Sequence, residues 1–205
     1  MNTLERRCIE ISYKNRLTHV SSVLNTVNTL DAIYARRAIA DPVLLCNCHA
    51  SLAHYVVLEA HGLCNAQEMV EKHGTHAHRD MEHGVWASGG SLGQLEPIAV
   101  GMALADRKRN VWLVTSDGAC AEGSVWEAFR LASEQRLGNL HIYVIANGLG
   151  AYGPIDTDKL RDRLAFFLYP LTFEFVSPKM PFQWLEGLDG HYMKISDEQF
   201  KEAMK

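Results

Sequence analysis

The 205-residue sequence lacks any apolar run near the ~20 residues of a membrane-spanning helix, and its most apolar stretch, residues 164–171, is far too short. No apolar segment follows the N-terminal MNTLERRC, so no secretory signal is predicted. Internal repeats, low-complexity tracts and linkers are also missing. These absences predict a cytoplasmic globular protein, in agreement with a hydrophobic content of 47% and a charged content of 21%.

A surplus of basic charge is missing as well, because the formal net charge is −4 and the sequence pI is about 6.2. A protein that binds nucleic acid or an anionic membrane needs a basic face to neutralise phosphates. The sequence therefore predicts neither nucleic acid nor a membrane surface as a partner.

Cysteine spacing gives no sign of a disulfide framework or a structural zinc site. The five cysteines are scattered, and only Cys46 and Cys48 lie close together in the chain. Nothing elsewhere completes a four-ligand zinc pattern, so reduced thiols are the expected state. The segment 73–83 carries four histidines and could bind zinc, but no cysteine or carboxylate spacing supports that alternative.

The length allows one substantial core, and residues 1–205 are predicted to form a single domain. Strand-like and helix-like segments alternate, which favours a three-layer α/β fold: a parallel sheet with helices on both faces. Helices are predicted at residues 4–16, 28–38 (with Asn28 as N-cap), 51–61, 94–105, 121–135 and 157–168, with a last one after a cap at 196–199. Strands are predicted at residues 43–46, 111–115, 141–146, 171–176 and 184–188, and loops at 73–83 and 177–181.

Polar residues follow the two central strands, at the point where each strand ends. Asp117-Gly118 comes just after the first of them, and Asn147-Gly148 follows the second. The carboxyl ends of parallel strands share one sheet edge, so we expect these side chains to project side by side. Carboxylate and amide oxygens suit Mg²⁺ or Ca²⁺, and glycines let a backbone approach a phosphate. The sequence therefore predicts a metal-diphosphate site.

The same residues carry a family resemblance. Asp117-Gly118, followed after 27 residues by Ala146-Asn147, resembles the thiamine diphosphate motif GDG…NN. The flanking segments resemble the transketolase family in particular: Gly90–Gln94 with Ala99–Ala105, Glu122–Ala128, Leu137–Leu140, Asn147–Leu149 and Leu188–His191. The resemblance covers nearly the whole chain and corresponds to the diphosphate-binding half of transketolase, as found in two-subunit transketolases.

The resemblance implies a set of cofactor contacts. Asp117 and Asn147 would ligate Mg²⁺ (or Ca²⁺) through their side chains, and Leu149 through its backbone carbonyl. Gly118 would donate its backbone N–H to the diphosphate. His49 and Asn147 would also contact the cofactor, His49 at the diphosphate. Thiamine diphosphate and a divalent metal are therefore the expected cofactors.

The resemblance also implies a pyrimidine contact and an interface residue. Gly90, Ser91 and Leu92 would meet the aminopyrimidine through their backbone. Glu122 takes the place of the family's dimer-interface glutamate, which couples paired active sites. The resemblance therefore implies that Glu122 is one of the catalytic residues. Self-association across the Glu122 region is therefore expected.

Histidines are the implied catalytic groups on the substrate side. His19 takes the place of a substrate-side histidine, and His76 matches one that touches the donor ketose, with His78 as a rival for that role. Histidine suits proton transfer to sugar hydroxyls because its ordinary pKa lies near operating pH. The sequence departs from the family at Ser116, which replaces the first glycine of GDG and fits there if its φ is negative.

The implied activity is transfer of a two-carbon ketol unit from a ketose or ketose phosphate to an aldose or aldose phosphate. The family's pyrimidine-binding domain has no counterpart in these 205 residues. A separate C-terminal transketolase subunit is therefore expected as partner, in a heterotetramer. Three alternatives stay open: the α-subunit of a 2-oxo acid dehydrogenase E1-type enzyme, a deoxyxylulose-phosphate-synthase-like enzyme, and a non-catalytic paralogue that kept the fold.

Overall fold

The computed structural model describes residues 1–167, 171–177 and 180–205. Contacts divide the described residues into two compact units. The helical unit comprises residues 1–35, 48–77 and 180–205, and the sheet unit comprises residues 36–47, 78–167 and 171–177. The single domain predicted over residues 1–205 stays a prediction.

The sheet unit contains four parallel strands in the order β1-β2-β3-β6. Their bounds are β1 Val43–Leu45, β2 Val111–Ser116, β3 Leu140–Ile145 and β6 Thr172–Val176. A small antiparallel pair, β4 (Leu149–Gly150) and β5 (Gly153–Pro154), lies between β3 and β6 in the chain. The two central strands run as continuous apolar segments because most of their side chains are buried.

Three helices complete the sheet unit: α5 (Leu95–Ala105), α6 (Gly123–Glu134) and α7 (Thr157–Leu164). Their apolar faces share one core with the strands, in which Leu113, Phe129 and Leu137 are fully buried. Burying such side chains contributes about 1.5–3 kcal/mol each, so the apolar faces hold these elements together.

Six helices form the helical unit: α1 Thr3–Lys14, α2 Val20–Tyr34, α3 Ser51–Ala60, α4 Ala66–His73, α8 Gly187–Tyr192 and α9 Asp197–Ala203. Asn2 and Ser196 begin α1 and α9 with reciprocal capping boxes. Arg7 on α1 donates two hydrogen bonds to the carboxylate of Glu59 on α3, at 2.8 and 3.1 Å. This pairing joins the two helices on top of their apolar contacts.

The prediction that Asn28 caps a helix is wrong. Helix α2 begins at Val20 after His19, and Asn28 lies inside the helix with its side chain bonded to Asn2 and Glu5. The error has a physical cause, because most of α2 is buried and its buried residues include several polar ones, such as Thr26. A helix buried nearly all round shows no one-sided apolar period.

Two further predictions are corrected. Residues 184–188 are not a strand, because a 3₁₀ turn at Gln183–Leu185 leads into α8, which contains His191. Helix α4 has no counterpart in the prediction, although Asn65 caps it by accepting hydrogen bonds from two backbone N–H groups. The remaining predicted elements are confirmed within a few residues, except that Leu168 and residues 178–179 of the predicted loop lie outside the described residues.

The parallel sheet flanked by helices confirms the predicted α/β class. All five cysteines are free thiols. Among the described residues, no helix is both long enough and apolar enough to span a membrane.

Candidate functional site at the strand ends and a histidine cluster

Asp117 lies directly after β2 and is almost fully buried, with 1% of its surface exposed. Its Oδ1 accepts the Gly118 N–H at 2.8 Å, and its Oδ2 accepts the Gly148 N–H at 2.6 Å. Burial raises the pKa of this carboxyl above its ordinary value, and the backbone N–H groups around it oppose that shift. Among the described residues, no cationic side chain is bonded to Asp117. A buried carboxylate with fixed oxygens is a natural ligand for a divalent cation.

The second strand end meets Asp117 as the topology predicts. Ser116 and Ile145 are paired in register, and the Asp117 N–H donates to the Ile145 carbonyl at 3.0 Å. Half-buried Asn147 follows, and its Oδ1 accepts the Leu149 N–H at 2.9 Å in an Asx-type turn. Ser116 has negative φ, so the serine fits where the family motif has glycine.

The residues present fit a metal-diphosphate group. A Cβ added at Gly118 would lie 3.4 Å from the Leu149 carbonyl oxygen, so this oxygen lies close to the Asp117-Gly118 turn. Gly148 has φ +77, a conformation that other residues rarely adopt. Carboxylate, amide and carbonyl oxygens at one turn form a donor set for a hard divalent cation. The Gly118 N–H, predicted as a diphosphate donor, is bonded to Asp117 in this structure.

The loop before α5 approaches the N-terminus of α6. Gly93 has φ +75, and a Cβ there would overlap Ser124 Oγ and lie 2.7 Å from Glu122 Cβ. Ser124 Oγ also donates to the Gly93 carbonyl at 2.8 Å. This close packing fixes the preceding loop, in which Gly90 and Ser91 are exposed and Leu92 is half-buried.

Glu122, the predicted interface residue, immediately precedes α6 and is half-buried. Its Oε1 accepts the hydroxyl of Tyr152 at 3.1 Å, and Tyr152 itself is exposed. The carboxylate therefore lies at the surface of the sheet unit, near the turn that contains Leu149.

Sequence reasoning missed a cavity of about 550 Å³ beside Asp117. Its lining includes Trp126 on α6 and two cationic residues of α7, Lys159 and Arg163. The Lys159 ammonium pairs with Asp156 at 3.0 Å. The sheet unit therefore presents positive charge close to the strand-end site, which a helix prediction alone could not locate.

In the helical unit, His19 and His49 belong to a cluster of aromatic rings. Their ring centroids are 4.9 Å apart, and His191 lies 4.6 Å from His19 and 5.7 Å from His49. Tyr192 contacts both His19 and His191, at 5.1 and 4.9 Å. We call these four residues the histidine cluster.

The backbone around His19 is unusual. His19 has φ 63 and ψ 26, in the left-handed region, and stands directly before α2. Its N–H donates to the His191 carbonyl at 2.9 Å, and its Nδ1 lies 2.8 Å from the Thr18 hydroxyl. Left-handed non-glycine residues are uncommon and often mark functional positions. The His191 carbonyl therefore helps to hold His19 in this conformation.

Burial lowers the pKa of His19 to about 4 and that of His49 to about 3, with repulsion from neighbouring histidines adding to both shifts. Burial also lowers the pKa of His191. The expectation that His19 has a pKa near operating pH is therefore corrected: His19 and His49 are neutral at pH 7, and burial disfavours the charged form of His191. A neutral imidazole offers one donor and one acceptor, so it can donate to a phosphate oxygen or pair with a hydroxyl in both roles.

His76 is exposed and close enough to lower the pKa of His19 and His49 by repulsion. Its rival, His78, belongs to the sheet unit, as does His83, whose Nδ1 lies 2.9 Å from Asp80. Among the described residues, no three His, Cys, Asp or Glu side chains are arranged to hold a metal, so the zinc alternative for segment 73–83 finds no support.

The sequence assigned no role to two members of the cluster, His191 and Tyr192. The sequence did mark Leu188–His191 as a family-like segment, but a strand was predicted there. The sequence feature that pointed to this position was the family-like segment, in which a histidine stands next to an aromatic residue. Its neighbours His19 and His49 lie too far away in the chain for spacing to connect them.

Comparison with known proteins gives no match to any protein-family model. Among curated proteins, the chain is 36% identical to "Ferredoxin fas2" of Rhodococcoides fascians over 60% of the chain and 44% of that protein. It is 27% identical to an apulose-4-phosphate transketolase subunit of Phocaeicola vulgatus, over 79% of the chain and 66% of that protein. It is 31% identical to "6-deoxy-6-sulfo-D-fructose transketolase subunit SqwG" of Clostridium sp., over 68% and 58%.

The chain thus spans between 44 and 66% of the length of these three relatives. The name ferredoxin describes that relative alone. The chain has no Cys-x₂-Cys pair of the kind that ligates iron–sulfur clusters, because its cysteines stand at positions 8, 46, 48, 64 and 120.

Solved structures show the fold. Transketolase from Campylobacter jejuni superposes on 98% of the chain with a TM-score of 0.73 at 18% identity, covering 41% of that protein. A Pichia stipitis transketolase gives a TM-score of 0.73 at 16% identity, over 98% of the chain and 40% of that protein.

The chain therefore has the α/β fold of transketolases. Three of the curated relatives that the chain resembles are named as transketolase subunits.

Proposed function

We propose that this chain is the metal- and diphosphate-binding subunit of a thiamine diphosphate-dependent transketolase. The observation that carries the proposal is the strand-end site. Asp117 is buried there with both oxygens fixed by backbone N–H groups, beside Asn147 and the Leu149 carbonyl. This arrangement leaves a hard oxygen donor set at the carboxyl ends of parallel strands, the usual ligand position in such sheets.

Asp117 and Asn147 would hold Mg²⁺ or Ca²⁺ by side chain, and Leu149 by its carbonyl. Gly118 lacks a Cβ on the side facing the Leu149 carbonyl, which keeps room for the metal and diphosphate. His49 would hydrogen-bond the diphosphate as a neutral donor. The backbone of Gly90, Ser91 and Leu92 would support the pyrimidine end, on a loop fixed by Gly93.

Bound thiamine diphosphate supplies a carbanion-stabilising centre that permits cleavage of a ketose and transfer of its two-carbon ketol unit to an aldose. Neutral His19, whose Nδ1 faces Thr18, would bind a sugar hydroxyl through Nε2. Exposed His76 would reach the substrate from the rim, and could exchange a proton with a sugar hydroxyl oxygen.

A separate partner chain would carry the pyrimidine-binding domain. This part of the proposal rests on relatives named as transketolase subunits, which the chain matches over most of its length. Two copies of each chain would form a heterotetramer, with Glu122 and Tyr152 at the contact between equivalent copies. Mass photometry of the co-expressed chains measures the assembly. Full ketol transfer by the isolated chain would show that no partner is needed.

The cofactor assignment is tested by calorimetry on the assembled complex. Thiamine diphosphate with Mg²⁺ should bind, and Asp117→Ala should weaken binding by at least about 100-fold, since it removes the only charged ligand of the set. Asp158→Ala is the matched control, because Asp158 is exposed and only paired with Arg161 on α7. Absence of binding, or equal binding by Asp117→Ala, would refute the assignment.

Substrate class is a separate question for the same complex. Labelled ketose phosphates and 2-oxo acids distinguish ketol transfer from the E1-type alternative, because each enzyme releases a different product from a different donor. Cofactor binding without turnover of either class would instead favour a non-catalytic paralogue.

A further inference from the structure

The histidine cluster contains more polar capacity than the protein itself uses. His19 Nδ1 faces the Thr18 hydroxyl at 2.8 Å, and His191 Nδ1 lies 3.4 Å from the hydroxyls of both Ser21 and Ser22. Within the described residues, the Nε2 atoms of His19 and His191 and both ring nitrogens of His49 have no hydrogen bond. None of these nitrogen atoms is fully buried, so a polar ligand can reach them from outside the protein.

The charge of the histidine rings indicates which chemical groups a ligand of this cluster would carry. Burial keeps His19 and His49 neutral at pH 7 and lowers the pKa of His191. The ring contacts of these three residues, among the described residues, include no Lys or Arg. His49 is the proposed donor to the diphosphate, whereas the neutral rings of His19 and His191 each match a hydroxyl, which both donates and accepts. The ring of Tyr192, with 59% of that residue exposed, adds an apolar surface beside them. The matching chemistry is the uncharged, hydroxyl-bearing part of a sugar.

We propose that His191 is a substrate-binding residue of this site, whose Nε2 hydrogen-bonds a hydroxyl of the donor ketose beyond the carbonyl carbon. The inference rests on the proposed function and adds to it a residue from α8, far from His19 and His49 in the chain. Ser21 and Ser22 orient the ring by facing its Nδ1, which directs Nε2 away from α2.

A purely structural role for His191 can be distinguished from substrate binding by side-chain variants. The contact that holds His19 in its left-handed conformation uses the backbone carbonyl of His191, not its side chain. Side-chain variants at position 191 therefore keep that contact. Asparagine retains an amide at the reach of Nδ1, glutamine places one at the reach of Nε2, and phenylalanine keeps only the ring.

The test measures steady-state kinetics of the assembled complex with D-xylulose 5-phosphate, D-fructose 6-phosphate and apulose 4-phosphate as donors. His191→Phe and His191→Asn should each lower kcat/KM about tenfold, the loss expected for one substrate hydrogen bond, and His191→Gln should recover most of it. Hydroxypyruvate lacks the hydroxyls beyond the carbonyl, so the same variants should use it within about twofold of wild type. His61→Phe, outside the cluster, is the control.

Equal losses with ketoses and hydroxypyruvate, or wild-type kinetics in His191→Asn, would overturn the inference in favour of a structural role through Nδ1. Thiamine diphosphate affinity is measured on every variant and should stay within about threefold of wild type, since His191 is not a cofactor contact. If the wild-type complex binds no cofactor, the proposed function itself fails and this inference with it. If the complex binds cofactor and turns over ketose donors, but variants at position 191 behave like wild type, only this inference fails. If it binds cofactor and uses no donor, the proposed transketolase activity fails as well.

Discussion

The strand-end site and the histidine cluster reach their geometry by different routes. At the strand-end site, 31 positions separate Asp117 from Gly148, and two adjacent parallel strands bring them together. In the histidine cluster, 170 positions separate Ser21 from His191, and only the packing of α8 against α2 joins them. The first arrangement follows from one repeating rule of α/β sheets, whereas the second depends on the fold of a whole unit.

The two regions also differ in charge. Asp117 is an acid whose pKa burial raises against the opposing effect of its backbone N–H partners, and a cation bound to its carboxylate would favour the ionised form. The histidines have lowered pKa values and no bonded charge, so they suit neutral hydroxyls. If this division holds, variants of Asp117 and Asn147 should change cofactor affinity, and variants of His19 and His191 should change turnover. His49, the proposed diphosphate contact, is the exception within the histidine cluster.

The largest difference between the effect on turnover and the effect on cofactor affinity is expected for His19→Asn. Asparagine tolerates the left-handed backbone but lacks Nε2, so kcat/KM for ketose donors should fall on the order of 100-fold. Cofactor affinity should stay within about threefold, because His19 is not among the proposed metal or diphosphate ligands. Steady-state kinetics and calorimetry on the same preparation measure both quantities.

Arg16→Asn provides the matched control for that variant. Arg16 also has positive φ, at 55, and is exposed, so the same replacement tests the backbone effect alone. A parallel loss of cofactor affinity in His19→Asn would contradict the division between the two regions.

Sequence reasoning located the strand-end site because its signals are local. Buried parallel strands give short apolar runs, and polar residues stand directly after them at 117 and 147. The histidine cluster was found only in part, because α2 buries polar residues such as Thr26 and hides its period. Helix α8 has six residues, too few to show a period at all, so the position of His191 follows only from tertiary packing.

The next largest effect is expected at Gly93, which supports the loop of the strand-end region. Gly93→Ala adds a Cβ that overlaps Ser124 and Glu122 at a φ of +75, so unfolding free energy should fall by about 2–3 kcal/mol. Gly101→Ala is the control. It lies inside α5 with open space around it and should gain about 0.5–1 kcal/mol. Urea denaturation of both variants measures the difference, and equal stabilities would contradict the packing argument.

Gly118→Ala should lower cofactor affinity while leaving thermal stability almost unchanged. Its Cβ would meet the Leu149 oxygen at 3.4 Å and Ser116 Oγ at 3.7 Å, ordinary contact distances, and its φ is negative. The melting temperature should therefore change by less than about 2 °C. The added methyl faces the carbonyl proposed as a metal ligand, so affinity for Mg²⁺–thiamine diphosphate should fall about tenfold.

Gly123→Ala is the control for that variant, because a Cβ at Gly123 meets nothing within 4 Å. Calorimetry and thermal unfolding are measured together. Unchanged affinity in Gly118→Ala would mean that the diphosphate does not bind at this turn. That result would count against the proposed cofactor role of the strand-end site.

The smallest effect is a pH dependence that the histidine cluster imposes on stability. The pKa of His49 is about 3 in the folded chain against an ordinary value of 6.5, so between these values the unfolded chain binds a proton that the folded chain does not. Unfolding free energy should therefore fall as pH drops from 6.5 toward 4, by roughly 0.5 kcal/mol per pH unit for this half-buried ring.

His49→Phe removes the titrating group, so urea denaturation from pH 7 to 4.5 should give it a flatter profile than wild type. The raised pKa of Asp117 acts in the opposite direction in both proteins and cancels in their difference. His61→Phe, outside the cluster, should keep the wild-type slope, and an unchanged slope in His49→Phe would mean that the cluster is hydrated and charged like surface histidines.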